Sequence, residues 1–117
     1  MDVQVRSFEP GDQKAARALI LRGLGERFGA IDETLNPDLN DIAIAYADGA
    51  FLVACAGGEI VGTGALTPRA DGVAIVSRMS TAAGHRRQGV ARAVLVRLTR
   101  LARERGCDRV VLGTNVD

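Results

Sequence analysis

Residues 73–105 restrict the fold more than any other stretch, because a strand pattern, a glycine-bounded loop and an amphipathic helix follow one another without interruption. Residues 73–79, opening on the apolar Val73-Ala74-Ile75-Val76, predict a strand. Over 90–105, Val90, Val94, Leu98, Leu101 and Ala102 fall on one helical face while Arg92, Arg100 and Arg103 fall on the other. Gly106 stands where a left-handed cap would end that helix, and residues 109–114 begin another strand. The segment therefore predicts a strand-helix-strand crossover at the end of the chain.

The preceding residues supply the partners. Val3 and Val5 alternate with polar neighbours into Phe8, predicting a short strand that stops at Pro10-Gly11. Asp12 follows as a capping or dipole-matching carboxylate. Over 15–28 the residues Ala16, Leu19, Ile20, Gly23, Leu24 and Phe28 recur at helical spacing, with Lys14, Arg17 and Arg22 elsewhere on the wheel. Residues 29–40 carry Gly, Pro, Asn and Asp in turn-like order and predict an irregular loop, followed by a short helix over 41–46. The apolar run 51–56, the Gly57-Gly58 turn and the strand 60–66 predict a hairpin. The order β-α-α-β-β-β-α-β describes an α/β chain with a mixed sheet, expected to form one domain over 1–117. It is not the strict alternation of a doubly wound nucleotide fold.

Composition narrows the function. At 117 residues and 47% apolar content, the chain can bury roughly two-thirds of its unfolded surface without metal or disulfide staples. Its 15 Lys+Arg against 14 Asp+Glu leave a net charge of +1, which argues against a dedicated nucleic-acid binder. No window approaches a membrane span, and the N-terminus lacks the apolar stretch of a signal peptide, so a cytoplasmic location is expected. Cys55 and Cys107 have no CxxC spacing and read as reduced, packed thiols.

The chemistry concentrates at the junction from Met79 to Arg92. A strand end that runs through a glycine-containing loop into a helix start aims unpaired backbone N–H groups and the positive end of the helix dipole at one spot. That is an anion site, most naturally for phosphate, and Arg86, Arg87 and Arg92 add charge to it. Gly84 and Gly89 have the glycine separation of a P-loop, but Val90-Ala91 follow in place of the lysine and hydroxyl. Gly62-Thr63-Gly64 opens no helix and continues Ala65-Leu66-Thr67, so the dinucleotide fingerprint is also unmet.

The pattern Arg86-x-x-Gly89-x-Ala91, after a strand and opening a helix, resembles the pyrophosphate loop R/Q-x-x-G-x-G/A of the general-control-related N-acetyltransferase (GNAT) superfamily. The likeness extends over nearly the whole chain: the first strand into an Asp-containing helix start, the hairpin over 53–64 with Glu59-Ile60-Val61-Gly62, the strand ending Arg78-Met79-Ser80-Thr81, and the segment 106–114. The resemblance implies an acyl-CoA N-acyltransferase fold with acetyl-CoA as cosubstrate and no metal. Acetyl-CoA would lie in a V-shaped opening between the strand ending near Thr81 and the one starting near Arg109. Cofactor contacts would come from Met79, Ser80 and Thr81, and from the loop Arg86, Arg87, Gln88, Gly89, Val90, Ala91 and Arg92. The implied reaction is direct acetyl transfer to a primary amine of a small molecule or peptide. Family members usually continue with a helix carrying an Asn and a Tyr, the Tyr acting as general acid, and two more strands. Nothing after Asp117 supplies these, so a C-terminally incomplete fold is expected. The sheet edge it would leave open favours a homodimer.

The remaining polar residues divide between functional and ordinary roles. Asp32, Glu33 and Asp38 lie in the loop that often lines the acceptor side in that family; any of them is either an amine-binding or proton-accepting group or a plain loop and capping carboxylate. Asp32 and Glu33 are kept as catalytic candidates, with the catalytic residues unassigned. His85 is the only histidine, which speaks against a metal site, and reads as a surface or phosphate-side residue. Tyr46 reads as an amphipathic anchor under the sheet, Cys107 as packed, and Ser80 and Thr81 lack the partners of a covalent nucleophile. Two other classes stand beside the enzyme: a catalytically silent acyl-CoA-binding or interaction domain, and a nucleic-acid module using the arginine-rich run 86–105. The latter has no aromatic platform.

Overall fold

The computed structural model describes residues 2–29 and 36–113. Asp32 and Glu33 lie outside the described residues, as do Thr114 and Asn115.

The elements follow in the order β1 (Gln4–Ser7), α1 (Gln13–Phe28), α2 (Ile42–Ala45), β2 (Ala50–Ala56), β3 (Glu59–Pro68), β4 (Val73–Thr81), α3 (Val90–Glu104) and β5 (Arg109–Leu112). Among the described residues, the five strands form one sheet in the order β1-β2-β3-β4-β5. Pairing is antiparallel from β1 to β4 and parallel between β4 and β5, as the crossover through α3 requires. Of the irregular loop, residues 37–40 form a 3-10 turn, and Asp41 caps α2 by accepting from the Ile44 N–H at 3.2 Å.

The core lies on both faces of the sheet. Phe51 and Val53 face α1 and α2, in a cluster with Ala16, Ile20, Leu39 and Ile42. Leu52 and Ala54 face α3, in a cluster with Val76, Val90, Val94 and Leu98. This explains why β2 reads as a continuous apolar run: a central strand covered on both sides has no solvent face on which to alternate. Each fully buried Leu or Val here contributes roughly 1.5–3 kcal/mol.

Gly62 and Gly64, which mimic part of a dinucleotide motif, are instead the seat of α3. A Cβ on Gly62 would stand 2.5 Å from Val90 Cγ1, and one on Gly64 would stand 2.6 Å from Val94 Cγ1 and 2.7 Å from Met79 Sδ. Bare backbone at both positions lets the helix settle against β3 at a height that any side chain would raise.

Two local expectations are corrected. Asp12 stands at the N-cap position of α1, the place expected for a dipole-matching carboxylate, but its side chain makes no cap bond to that helix. It accepts from Arg6 Nη1 and Nη2 at 2.7 and 2.9 Å and from the Glu9 N–H at 2.8 Å, because the 3-10 turn Pro10–Asp12 brings it back over β1. The Arg6 bonds outweigh partial burial and hold its carboxyl below the usual range. The apolar residues of α1 are also not a single stripe, since Leu21 is buried alongside Ala16, Leu19 and Ile20. The α1 side is further tied by Gln13, which donates to the Leu39 carbonyl at 2.7 Å and accepts from the Ile42 N–H at 2.9 Å.

Candidate active site

Among the described residues, β4 extends past its parallel partner. The β4–β5 register pairs Val73 with Arg109 and ends with Val76 opposite Leu112; Gly113 adds one N–H bond to the Val76 carbonyl at 2.6 Å. From Ser77 to Thr81, β4 continues without a β5 partner among the described residues. A cleft of about 950 Å³ opens there, floored by residues 76–81 and flanked by Leu112 and Gly113. Ile20, Gly23, Leu24 and Glu26 of α1 form one wall, and the loop before α3 forms another. This is the opening expected between the end of one strand and the final strand.

The loop wall is built by backbone. Arg87 (φ 63°) and Gly89 (φ 82°) both take left-handed conformations, which turn the chain sharply into α3. At Gly89 a side chain would be strained, and its absence also means that no side chain caps the helix. The first intrahelical bond runs from the Ala93 N–H to the Gly89 carbonyl at 3.0 Å. The N–H groups of the first turn before it have no acceptor of their own in the helix. Arg86, Arg87, Gly89, Val90, Ala91 and Arg92 all line the cleft, as do Met79, Ser80, Thr81 and His85. Gln88 is exposed and does not line it. Val90 is buried in the α3-side core and contributes to the wall from there. Met79 packs on the same core, and a Cβ on Gly23 would stand 3.7 Å from Ser80 Oγ, so neighbouring β4 side chains serve opposite layers.

Charge is distributed unevenly. Arg86 is ion-paired with Glu26 across the cleft mouth, their side chains 51% and 41% exposed. Of the other arginines in 86–105, Arg97 donates to the Val5 carbonyl at 3.2 Å and Arg105 to the Gly49 carbonyl at 2.6 Å. Part of the run is therefore structural rather than a solvated basic face.

A second cluster was invisible in the sequence. Arg78, at φ 54° where the β3–β4 register shifts, donates from Nε and Nη2 to Asp38 at 2.9 and 2.7 Å. Thr63 Oγ1 donates to the Arg78 carbonyl at 2.8 Å and secures the irregular backbone. The Tyr46 hydroxyl donates to the same carboxylate at 2.6 Å, and its ring packs on Phe51 with centroids 5.4 Å apart. Burial alone would raise the Asp38 carboxyl, but the bonds from Arg78 and Tyr46 hold it below its ordinary value. Burial and the Asp38 charge push Tyr46 up to about 12. Asp38 is thus held as the counter-ion of Arg78 rather than standing as a freely solvated loop carboxylate. Tyr46 is the expected anchor.

Among the described residues no His, Cys, Asp or Glu group could hold a metal, and no helix is long and apolar enough to cross a membrane. Cys55 and Cys107 are free and half-buried.

The sequence profile described as the acetyltransferase (GNAT) family matches residues 14–117. No curated protein matches the chain significantly. Solved structures share the fold. A GNAT-family acetyltransferase from Staphylococcus aureus Mu50 superposes with a TM-score of 0.89 at 23% identity, over 97% of this chain and 74% of its own. An acetyltransferase from Streptococcus agalactiae 2603 gives 0.84 at 24% identity, over 96% and 73%. The PaiA N-acetyltransferase from Thermoplasma acidophilum, solved in complex with coenzyme A, gives 0.75 at 16% identity, over 92% and 76%.

Proposed function

The chain belongs to the acetyltransferase (GNAT) family and is an acyltransferase of that type, and from that premise we propose that it transfers acetyl from acetyl-CoA directly to a primary amine of a small molecule or peptide. One observation carries the reading: the uncapped start of α3, with Arg86, Arg87 and Arg92, shares a cleft with the end of β4 that has no β5 partner among the described residues. In the proposal, the N–H groups of the α3 first turn and the loop arginines hold the pyrophosphate of acetyl-CoA. The backbone of Met79 and Thr81 pairs with the pantetheine arm, and an N–H on this edge polarises the thioester carbonyl. The amine nitrogen, once its ammonium proton has passed to solvent, attacks the carbonyl carbon. The C–S bond breaks, coenzyme A leaves as a thiolate, and the proton that the nitrogen sheds as the amide forms neutralises that thiolate directly or through water. Orientation of the two reactants in one cleft and stabilisation of the oxyanion supply the acceleration. The coenzyme A held by the Thermoplasma relative supports the same choice of cosubstrate. The two free cysteines accord with a reducing, cytoplasmic setting.

The test is incubation with acetyl-CoA and a panel of amines while following free thiol. Amine-dependent thiol release is expected. Acetyl-CoA binding without thiol release from any amine would make the chain a silent acyl-CoA-binding domain.

A further inference from the structure

The Arg78 guanidinium has more donors than the protein uses. Nε and Nη2 are committed to Asp38, whereas Nη1 is buried and has no partner among the described residues. The side chain is 9% exposed and belongs to a residue that lines the cleft. Buried donors are almost always satisfied, so a charged one left over calls for a partner beyond the described residues. The surroundings hold it ready. Asp38 fixes the plane of the guanidinium with a two-pronged bond, Tyr46 fixes Asp38, and Thr63 fixes the backbone.

We propose that Arg78 recognises the acceptor by donating a hydrogen bond from Nη1 to an oxygen carried by the amine substrate, so that the acceptors are oxygen-bearing amines such as amino sugars or the amides and peptides of amino acids. The inference rests on the acetyltransferase reading and names its substrate class. Asp38 already neutralises the Arg78 charge, so a neutral carbonyl or hydroxyl oxygen is the fitting partner. Alkylamines and polyamines have only cationic donors to offer, and these repel a guanidinium and leave its free N–H unmet. Arg78 binds and orients; the proton chemistry is not assigned to it.

Matched amines test this without altering the fold. Binding of L-alaninamide against isopropylamine, and of D-glucosamine against cyclohexylamine, is measured by calorimetry on the coenzyme A-loaded protein. The oxygen-bearing member of at least one pair should bind about ten- to a hundredfold tighter, as expected for a hydrogen bond from a charged donor. The double variant Arg78→Met with Asp38→Asn, which leaves neither charge orphaned, should abolish the preference while retaining coenzyme A affinity. Equal binding within both pairs, no binding of any amine, or a preference that survives the double variant would each overturn the proposal. Thiol release is followed in parallel with acetyl-CoA. Discriminating binding without release would leave this inference standing and defeat the acetyltransferase reading instead.

Discussion

Arg86 and Arg78 line the same cleft and each is paired with a carboxylate, yet the two pairs differ in how firmly they are held. The Arg86–Glu26 pair joins a loop to a helix across the mouth, about half exposed. Such pairs contribute about 0–1 kcal/mol and are screened by salt, so an incoming phosphate can take over Arg86 at little cost. The Arg78–Asp38 pair lies inside the wall, locked by two bonds and a tyrosine. Removing one partner there strands the other in a medium that solvates it poorly. One cleft therefore has an exchangeable cation at its mouth and a fixed cation within. The difference suits a cosubstrate whose phosphates bring their own charge and an acceptor that must be read by geometry.

The largest expected effect belongs to the exchangeable side. Gly89→Glu sets a carboxylate at the start of α3, where a Cβ meets nothing within 4 Å, so space is free although φ 82° strains any side chain there. Like charges about 4 Å apart at an interfacial dielectric repel by about 4 kcal/mol, and coenzyme A affinity should fall by roughly three orders of magnitude in calorimetry. Unchanged affinity would remove the phosphate from this loop. On the fixed side, Asp38→Ala should cost about 3 kcal/mol in urea unfolding, since it orphans a buried guanidinium. A loss below about 1 kcal/mol would mean that the pair is no more locked than the one at the mouth.

Acidity sharpens the same contrast. The Asp38 carboxyl is lower in the folded protein than its ordinary 3.8, so its contribution is present above that value and lost as pH falls below it. Tyr46 runs the other way: its folded value of about 12 lies above the ordinary 10.0, so stability is full below pH 10 and lost between 10 and 12. Tyr46→Phe should flatten the alkaline limb of a stability–pH curve, and Asp38→Asn the acid limb; an unchanged limb in either variant would separate that residue from the cluster. Smallest of all, Glu26→Ala should change stability by less than about 1 kcal/mol, and a loss matching that of Asp38→Ala would erase the distinction between the pairs.

The comparison also marks what the sequence reveals. Strand and helix order and the turn at Gly57-Gly58 depend on neighbours a few residues apart, and periodicity and turn chemistry expose them; the loop at Arg86-x-x-Gly89-x-Ala91 is equally local but is picked out by its resemblance to the family's loop. Arg78 and Asp38 are separated by 40 residues, and Arg86 and Glu26 by 60, so their pairing exists only after two elements pack. Asp38 carried a faint signal as a carboxylate in the right loop, but its partner could not be named, and the partner reverses its chemistry. The capping half of the Asp12 reading failed for a similar reason, because Arg6 on β1 was the stronger claimant. The tight approach at Gly62 and Gly64 was hidden by a more familiar glycine motif.

The pairing of β4 with β5 has a last consequence. β2, β3 and β4 are joined by short turns and can zip together locally, whereas β5 must wait for α3 to be laid across before its edge can pair. The cleft thus lies on the seam between the part of the sheet that closes through local contacts and the part that closes through a distant one. A molecule that bridges this seam joins the two parts as well as occupying a site, and by mass action it draws the whole chain toward its ordered state.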